Sequence, residues 1–513
     1  MPTKTIQAWC LAALIALCLA AVPEMADARD NHPTMQIPLV CCDEPAPATP
    51  PQENLPTLGR GTTGLSKMDE DKMGRQFILQ ARQSLDFVTD PELTEYISKL
   101  GHRLSSHSDE PNDTFHFYLV RSPDLNAFAV PGGYVVLYTG LLMAAENEPE
   151  LAAVMSHEIA HITQHHLSQM VEDTKGQGFK LLGALVAAIF LGGQAGTAAV
   201  MGANATSISN QLRYQRGFEQ EADDRGIHTM FEAGYDPHAM AQFFHVLENW
   251  SRNADPGGME FLRDHPLTPK RIADAEVRAD QYPRPKPPDE TDFYHVRAKI
   301  RATLSNDPTA TVQRFAVDLK TGKYENEAAE RYGYALALSR VGSYDKALEV
   351  IGKLRQQYPD TLRYQAAQGN ILMAAGKFED GLDVLARSHK QSPDSRSLDI
   401  YYATALIQTK HYEKAKQLLK QRLLTHNDDA QLYSLLARAE GEMGNSLVAH
   451  QDLAEYYYLK EDLSQAYRQL KLAKKYIDGS EYAKASIEAR IKDIQHEMSI
   501  YGDKASGVEA QKD

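Results

Sequence analysis

The chain has 513 residues, of which 43% are hydrophobic and 24% charged, and carries a formal net charge of −15. That length exceeds one ordinary core and implies roughly two to four domains. The acidic balance argues against a nucleic-acid partner, because no basic surplus exists to displace counterions from phosphates.

The N-terminus reads as a secretion signal. Lys4 supplies a short basic start, the apolar run IQAWCLAALIALCLAAV follows, and Ala26-Asp27-Ala28 gives the small-x-small pattern for cleavage before Arg29. Residues 1–28 are therefore expected to leave the mature protein. The short apolar core and its exit favour this over an N-terminal anchor, and Leu17 before Cys18 disfavours a lipoprotein. Cys10 and Cys18 leave with the signal. Cys41 and Cys42 are adjacent, and neighbouring cysteines seldom bridge each other, so no internal disulfide framework is expected. Pairing with another chain and unpaired thiols both stay open. Residues 29–64, which include PAPATPPQENLPTLG, read as an extended or disordered leader.

From Lys67 the pattern changes. MDEDKMGRQFILQARQSL and DPELTEYISKLGHRLSSH read as helices, while FHFYLV, NAFAVPGG and YVVLYTGLL have strand composition with turn residues between them. Asn147 can cap the next helix, with Pro149 in its first turn, and a single helix is predicted through PELAAVMSHEIAHITQHHLSQMVED. Residues 65–285 thus form an α+β domain whose central helix follows a small sheet. Within it, residues 179–203, FKLLGALVAAIFLGGQAGTAAVMGA, are the most apolar stretch after the signal. A membrane span needs about 20 continuous apolar residues, and GGQAG interrupts this run after Leu191. If residues on both sides bind one metal, a single crossing would place them on opposite faces of a bilayer. The segment is therefore read as a helical hairpin, either packed in the protein or in peripheral contact with a membrane surface.

Residues 286–325 read as a linker and first helices. Beyond them GSYDKALEV, GKFEDGLDV and KHYEKAKQL align, so that Tyr344, Phe378 and Tyr412 are spaced by 34 residues, as are Pro359 and Pro393. This is the period of tetratricopeptide repeats, helical hairpins that stack to bury their apolar faces. Gly342, Ala347, Gly376, Gly381 and Ala415 are expected to allow close helix approach. The phase shortens after Ser446, with Ala466 only 17 residues past Ala449. An all-α repeat solenoid is thus expected over 326–500 and a disordered tail over 501–513. Such arrays bind protein segments in a concave groove.

The chemistry is concentrated in SHEIAHITQHH. His157 and His161, four apart on a helix, can converge on one tetrahedral zinc. Glu158 lies beside that metal, placed to take a proton from the attacking water and pass it to the leaving amine. A third protein ligand is needed. On a continuous helix His166 lies about 180° round from His157, and His165 about 12 Å along the axis, so neither can join them. GFEQEADDRGI offers an acidic cluster of Glu219, Glu221, Asp223 and Asp224, which could equally be a solvated helix face. Glu219 and Asp223 share one face, and Glu221 points about 200° away from Glu219. On that face Glu219 can ligate the metal while Asp223 accepts the N–H of a ligand histidine.

HEIAH followed by Glu219, Ala222 and Asp223 resembles the M48 zinc metallopeptidases of the gluzincin group. NAFAVPGGYVVLYTGLL upstream and GYDPHAMAQFF downstream match the same family. With the signal peptide, the HPLTPKRIADAE segment and the repeats, the combination is similar to periplasmic M48 proteases that act in outer-membrane β-barrel assembly. The protease resemblance covers roughly residues 65 to 280. It implies an α+β zincin-like (gluzincin) metalloprotease domain followed by the repeat solenoid, with one Zn2+ per chain held by His157, His161 and Glu219. Glu158 would be the general base, and Asp223 would orient a ligand histidine. NAFAVPGG would line the cleft and accept a peptide as an added strand. His265, in the HPLTP loop, would reach the open metal position and hold the enzyme latent. The resemblance also implies the periplasm of a Gram-negative bacterium, misassembled outer-membrane β-barrel proteins as substrates, and the β-barrel assembly machinery as partner. Two other readings compete: a latent zinc protein acting as a repeat-based chaperone or scaffold, and an integral-membrane protease spanning 179–203, which the interrupted run disfavours.

Overall fold

Ser66 and Asp69 set the first helix, α1 (Lys67–Ser84), through a reciprocal capping box. The computed structural model describes residues 65–173, 205–253, 261–262 and 265–501. The expected signal peptide, leader and apolar hairpin 179–203, together with Cys41 and Cys42, lie outside the described residues. Helix α2 (Pro91–Ser105) starts at Asp90, whose side chain accepts from the N–H groups of Glu92 and Leu93. Three strands follow, β1 (His116–Val120), β2 (Ala127–Val130) and β3 (Tyr134–Tyr138), in sheet order β1-β3-β2. β1 runs parallel to β3 and β2 antiparallel to it, with Ala127 opposite Leu137. The reversal between β2 and β3 uses Gly132 and Gly133, both at φ +82°. A Cβ on Gly133 would stand 1.9 Å from the Thr114 carbonyl oxygen, so the turn requires glycine there. The outer edge of β1 is covered where Phe87 bridges Val120 and Val88 N–H donates to Leu119 O at 2.8 Å. β2 forms the opposite edge.

A short helix, α3 (Thr139–Ala144), leads into α4 (Glu148–Thr163), capped by Asn147 Oδ1 accepting from Glu150 N–H at 2.9 Å. Every residue from Leu151 to Ala160 is buried, as befits a helix enclosed on all sides. Around it lie the sheet, α2, α6 (Ala205–Glu232) and α7 (His238–Asn253). Ile97, Leu137, Met155, Ile159, Met230 and Phe243 form one core with it. The predicted single helix through Asp173 does not continue. It breaks at Gln164 and His165, where His165 takes φ +54°, and a separate α5 spans His166–Asp173. α8 (Pro269–Ala279) completes this region.

The remaining helices stack as hairpins: α9 (Thr291–Leu304) with α10 (Pro308–Thr321), α11 (Glu327–Arg340) with α12 (Tyr344–Gln357), and α13 (Leu362–Ala374) with α14 (Phe378–Gln391). They continue with α15 (Arg396–Gln408) and α16 (Tyr412–Leu423), then α17 (Ala430–Glu442) and α18 (Ser446–Leu459), and end on α19 (Leu463–Ala473) and α20 (Glu481–Tyr501). The sequence period has a backbone counterpart, since Gly342, Gly376, Lys410 and Gly444 recur every 34 residues and all take positive φ at the turn inside a hairpin. This corrects the reading of Gly342 and Gly376 as close-approach positions. A Cβ on either would meet nothing within 4 Å, and their requirement is the left-handed turn. Gly381 does serve close approach, with Met373 Cγ 2.9 Å from where its Cβ would be. Among the described residues no helix is long and apolar enough to cross a membrane.

The repeat helices dock on the first domain through buried charge. Glu92 of α2 accepts from Lys299 Nζ at 2.8 Å and Tyr332 OH at 2.7 Å, and pairs with Arg363. Near the other end of the array, Tyr134 OH donates to Glu461 at 3.1 Å, and Gln76 donates to the carbonyl of Tyr501 at 2.8 Å. Burial alone would raise the Glu92 pKa, but Lys299 and Arg363 outweigh it and hold the carboxyl at about 2. Glu92→Gln is expected to cost about 3 kcal/mol by leaving both cations without their shared carboxylate. The pKa is depressed, so this stabilisation is full above the ordinary value of 4.5 and is lost as pH falls toward about 2. Thermal unfolding at pH 7 should show the deficit and unfolding near pH 2 should not. Equal Tm values at pH 7 would contradict the docking role.

Candidate metal centre

Two helices bring the site together. α4 carries His157, Glu158 and His161, and α6 carries Glu219 and Asp223. Gly226 sets their approach: a Cβ there would stand 3.1 Å from the backbone nitrogen of His157 and 3.3 Å from its Cα. A third segment, the loop into α8, supplies His265.

The donor atoms converge. His157 Nε2 and His161 Nε2 are 3.0 Å apart. Glu219 Oε2 lies 3.6 Å from the former and Oε1 3.5 Å from the latter. His265 Nδ1 lies 3.3 Å from His157 Nε2 and 3.0 Å from Glu219 Oε1. One atom from each of the four residues falls within 4.8 Å of all the others. Ligands about 2.1 Å from a tetrahedral zinc stand ~3.4 Å apart, so these separations suit such an ion. Two imidazole nitrogens and a carboxylate are also the donor types zinc takes.

The surroundings favour positive charge. Burial pushes the His157 pKa down, yet Asp223 and Glu219 outweigh it and hold it at about 9. Burial likewise opposes ionisation of Glu219, but His265 and His157 keep its carboxyl well below the usual range. His265 is raised against its burial by Glu219 and Glu158. His161 is pushed well down by burial and by His157 beside it. A buried carboxylate among imidazoles is costly without a compensating cation, whether proton or metal.

The outer nitrogens of the candidate ligands face polar neighbours. His157 Nδ1 is 3.0 Å from Asp223 Oδ1, and His161 Nδ1 is 3.0 Å from His166 Nδ1. Glu158 is 1% exposed, and its Oε1 lies 3.5 Å from His265 Nε2. His166, read from the sequence as a residue of the polar face or behind the ligands, was given an angle that assumes a continuous helix, which the chain breaks. After the break its ring turns inward, stacks on Phe218 at 4.4 Å and places Nε2 3.5 Å from Glu221. His165 turns the other way, to Glu70 at 3.0 Å and Glu110 at 3.3 Å, and these carboxylates raise its pKa to about 10. Arg271 completes the surroundings of the site. It pairs with both Asp223 and Glu219 at 2.7 Å, and the only sequence signal is its place in HPLTPKR.

A His-Glu-x-x-His helix with a glutamate from a second helix beside it is the centre of a metallopeptidase. Residues 91–279 match the family described as Peptidase family M48, and residues 372–439 match the Tetratricopeptide repeat family. The chain is 36% identical over 446 residues to the putative beta-barrel assembly-enhancing protease of Vibrio cholerae, a match covering 85% of this chain and 91% of that protein. It is 31% identical over 449 residues to the beta-barrel assembly-enhancing protease of Escherichia coli K12, covering 86% and 91%. The mitochondrial metalloendopeptidase OMA1 of Schizosaccharomyces pombe is 30% identical over a shorter 184 residues, covering 36% of this chain and 52% of that protein. The chain therefore belongs to the β-barrel assembly-enhancing protease family, within peptidase family M48, and is a metallopeptidase.

Proposed function

We propose that the chain is a periplasmic zinc endopeptidase of gluzincin type, with one Zn2+ per chain held by His157, His161 and Glu219. The observation that carries this reading is the convergence of these donors beside a buried Glu158. Zinc, when bound, polarises the scissile carbonyl and makes water nucleophilic at neutral pH. Glu158 takes the proton from the attacking water and delivers it to the leaving amine. Asp223, with Oδ1 3.0 Å from His157 Nδ1, is placed to accept its N–H and so to favour the tautomer that leaves Nε2 free to ligate. The peptide lies along edge strand β2 as an added strand. His265, between Glu158 and Glu219, occupies the place of the attacking water and holds the enzyme latent.

The protease domain runs over 65–285 and the repeat domain over 326–500, joined through 286–325. The names of the relatives point to β-barrel assembly, and the proposed substrates are misassembled outer-membrane β-barrel proteins. The repeats engage clients and the assembly machinery. A second reading, a latent zinc protein acting as a chaperone or scaffold, draws on the position of His265 and on a cavity of about 550 Å³ lined by Met373, Phe378, Tyr401 and Tyr412. His265→Ala separates the two. Cleavage of an unfolded outer-membrane protein should rise on the order of tenfold at unchanged zinc content, as when a state populated about nine-tenths of the time is removed. No gain in cleavage would favour the scaffold.

A further inference from the structure

Arg271 lies in the first turn of α8, where Thr268 Oγ accepts its backbone N–H at 3.2 Å. Its side chain is 7% exposed. All three guanidinium nitrogens are engaged. Nε and Nη2 donate to Asp223 Oδ2 and Oδ1 at 2.7 Å each, a two-pronged match to the carboxylate. Nη1 stands 2.7 Å from Glu219 Oε2 and donates to the carbonyl of Pro266 at 3.1 Å. One side chain therefore touches the proposed third ligand, the carboxylate that orients His157, and the backbone of the residue after His265.

We propose that Arg271 is a positioning residue that fixes Glu219 and Asp223 for the metal and ties the His265 loop to them. The inference rests on the zinc reading above. A buried glutamate free to rotate would hold an ion poorly. With Oε2 against Arg271, Glu219 keeps Oε1 turned toward His161 and His265. Asp223 is held through both of its oxygens by one guanidinium, which keeps it facing His157. His265 cannot withdraw without breaking the Pro266 contact or moving the guanidinium, and moving the guanidinium loosens both carboxylates. Unlatching and ligand geometry are coupled for that reason. Lysine at this position keeps the charge but is a point donor that cannot span two carboxylates and a carbonyl.

The test uses the zinc-loaded full chain and measures zinc affinity by competition with a chelator. Arg271→Lys is expected to weaken binding about tenfold and Arg271→Ala up to about 100-fold, the range for losing a group that orients ligands. A folded Arg271→Lys protein with wild-type zinc affinity would overturn the proposal, and this variant decides the matter where Arg271→Ala does not fold. A wild-type chain that binds no zinc would instead bring down the zinc reading, and this inference with it. The loop tie has its own readout. The gain in cleavage from His265→Ala should shrink in the Arg271→Lys background, and an equal gain in both backgrounds would refute the coupling.

Discussion

Glu158→Gln is expected to leave zinc bound and to cut turnover of an unfolded substrate by about 10²- to 10⁴-fold. The substitution keeps size and shape, which matters at a position only 1% exposed. It removes no proposed ligand, because Glu158 is not among the four residues whose donor atoms converge, and its Oε1 lies at that cluster's rim, 3.5 Å from His265 Nε2. An amide can still hydrogen-bond the attacking water, but it cannot accept a proton from it. The loss corresponds to about 3–5 kcal/mol of barrier, within what a positioned base supplies. Substrate affinity should change little, so the effect falls on kcat rather than KM. Two measurements check it together, metal content and single-turnover cleavage. Normal zinc with near-wild-type cleavage would remove Glu158 from the mechanism.

The parts of this protein that sequence makes legible are those governed by local periodicity. His157 and His161 are four apart on a buried helix, so their convergence follows from helix geometry alone. The repeats are visible because Tyr344, Phe378 and Tyr412 recur at the same point of successive hairpins, and the recurring positive φ at Gly342, Gly376 and Gly444 is the same period in the backbone. Lys410 occupies that slot without being glycine, which shows that spacing can specify the turn where residue type does not. Pairing between distant segments was less legible. Glu219 and Asp223 stood out only as an i, i+4 pair in an acidic cluster. The structure brings them to His157 from α6, about sixty positions on. Arg271 gave no sign of its two carboxylate partners, nor Glu92 of Lys299 and Arg363, because ion pairing across such separations leaves no periodic trace. The break at His165 was missed for a different reason. HITQHH contains neither glycine nor proline, and a non-glycine residue at positive φ is uncommon. What holds it there is tertiary: Glu70 on α1 and Glu110 grip the two ring nitrogens of His165. That break turns His166 toward His161.

Glu219→Ala is expected to abolish cleavage and to lower zinc retention sharply. The side chain is buried, and its two oxygens face His157, His161, His265 and Arg271 together. Alanine removes one of three proposed protein ligands and leaves Arg271 with Asp223 as its one carboxylate partner among the described residues. A stability loss of about 3 kcal/mol should accompany the metal loss, because a buried cation is left half-compensated. His265 complicates a simple reading, since its Nδ1 stands 3.3 Å from His157 Nε2 and it can serve as a substitute third donor. Residual zinc in Glu219→Ala should therefore disappear in Glu219→Ala combined with His265→Ala. Glu221→Ala is the matched control. It removes a carboxylate from the same helix, facing His166 rather than the donor cluster, and should keep its zinc. Zinc content measured after dialysis against a weak chelator distinguishes the four proteins. Full zinc in the double variant would exclude both Glu219 and His265 as ligands and leave His157 and His161 in need of a third donor from elsewhere in the fold.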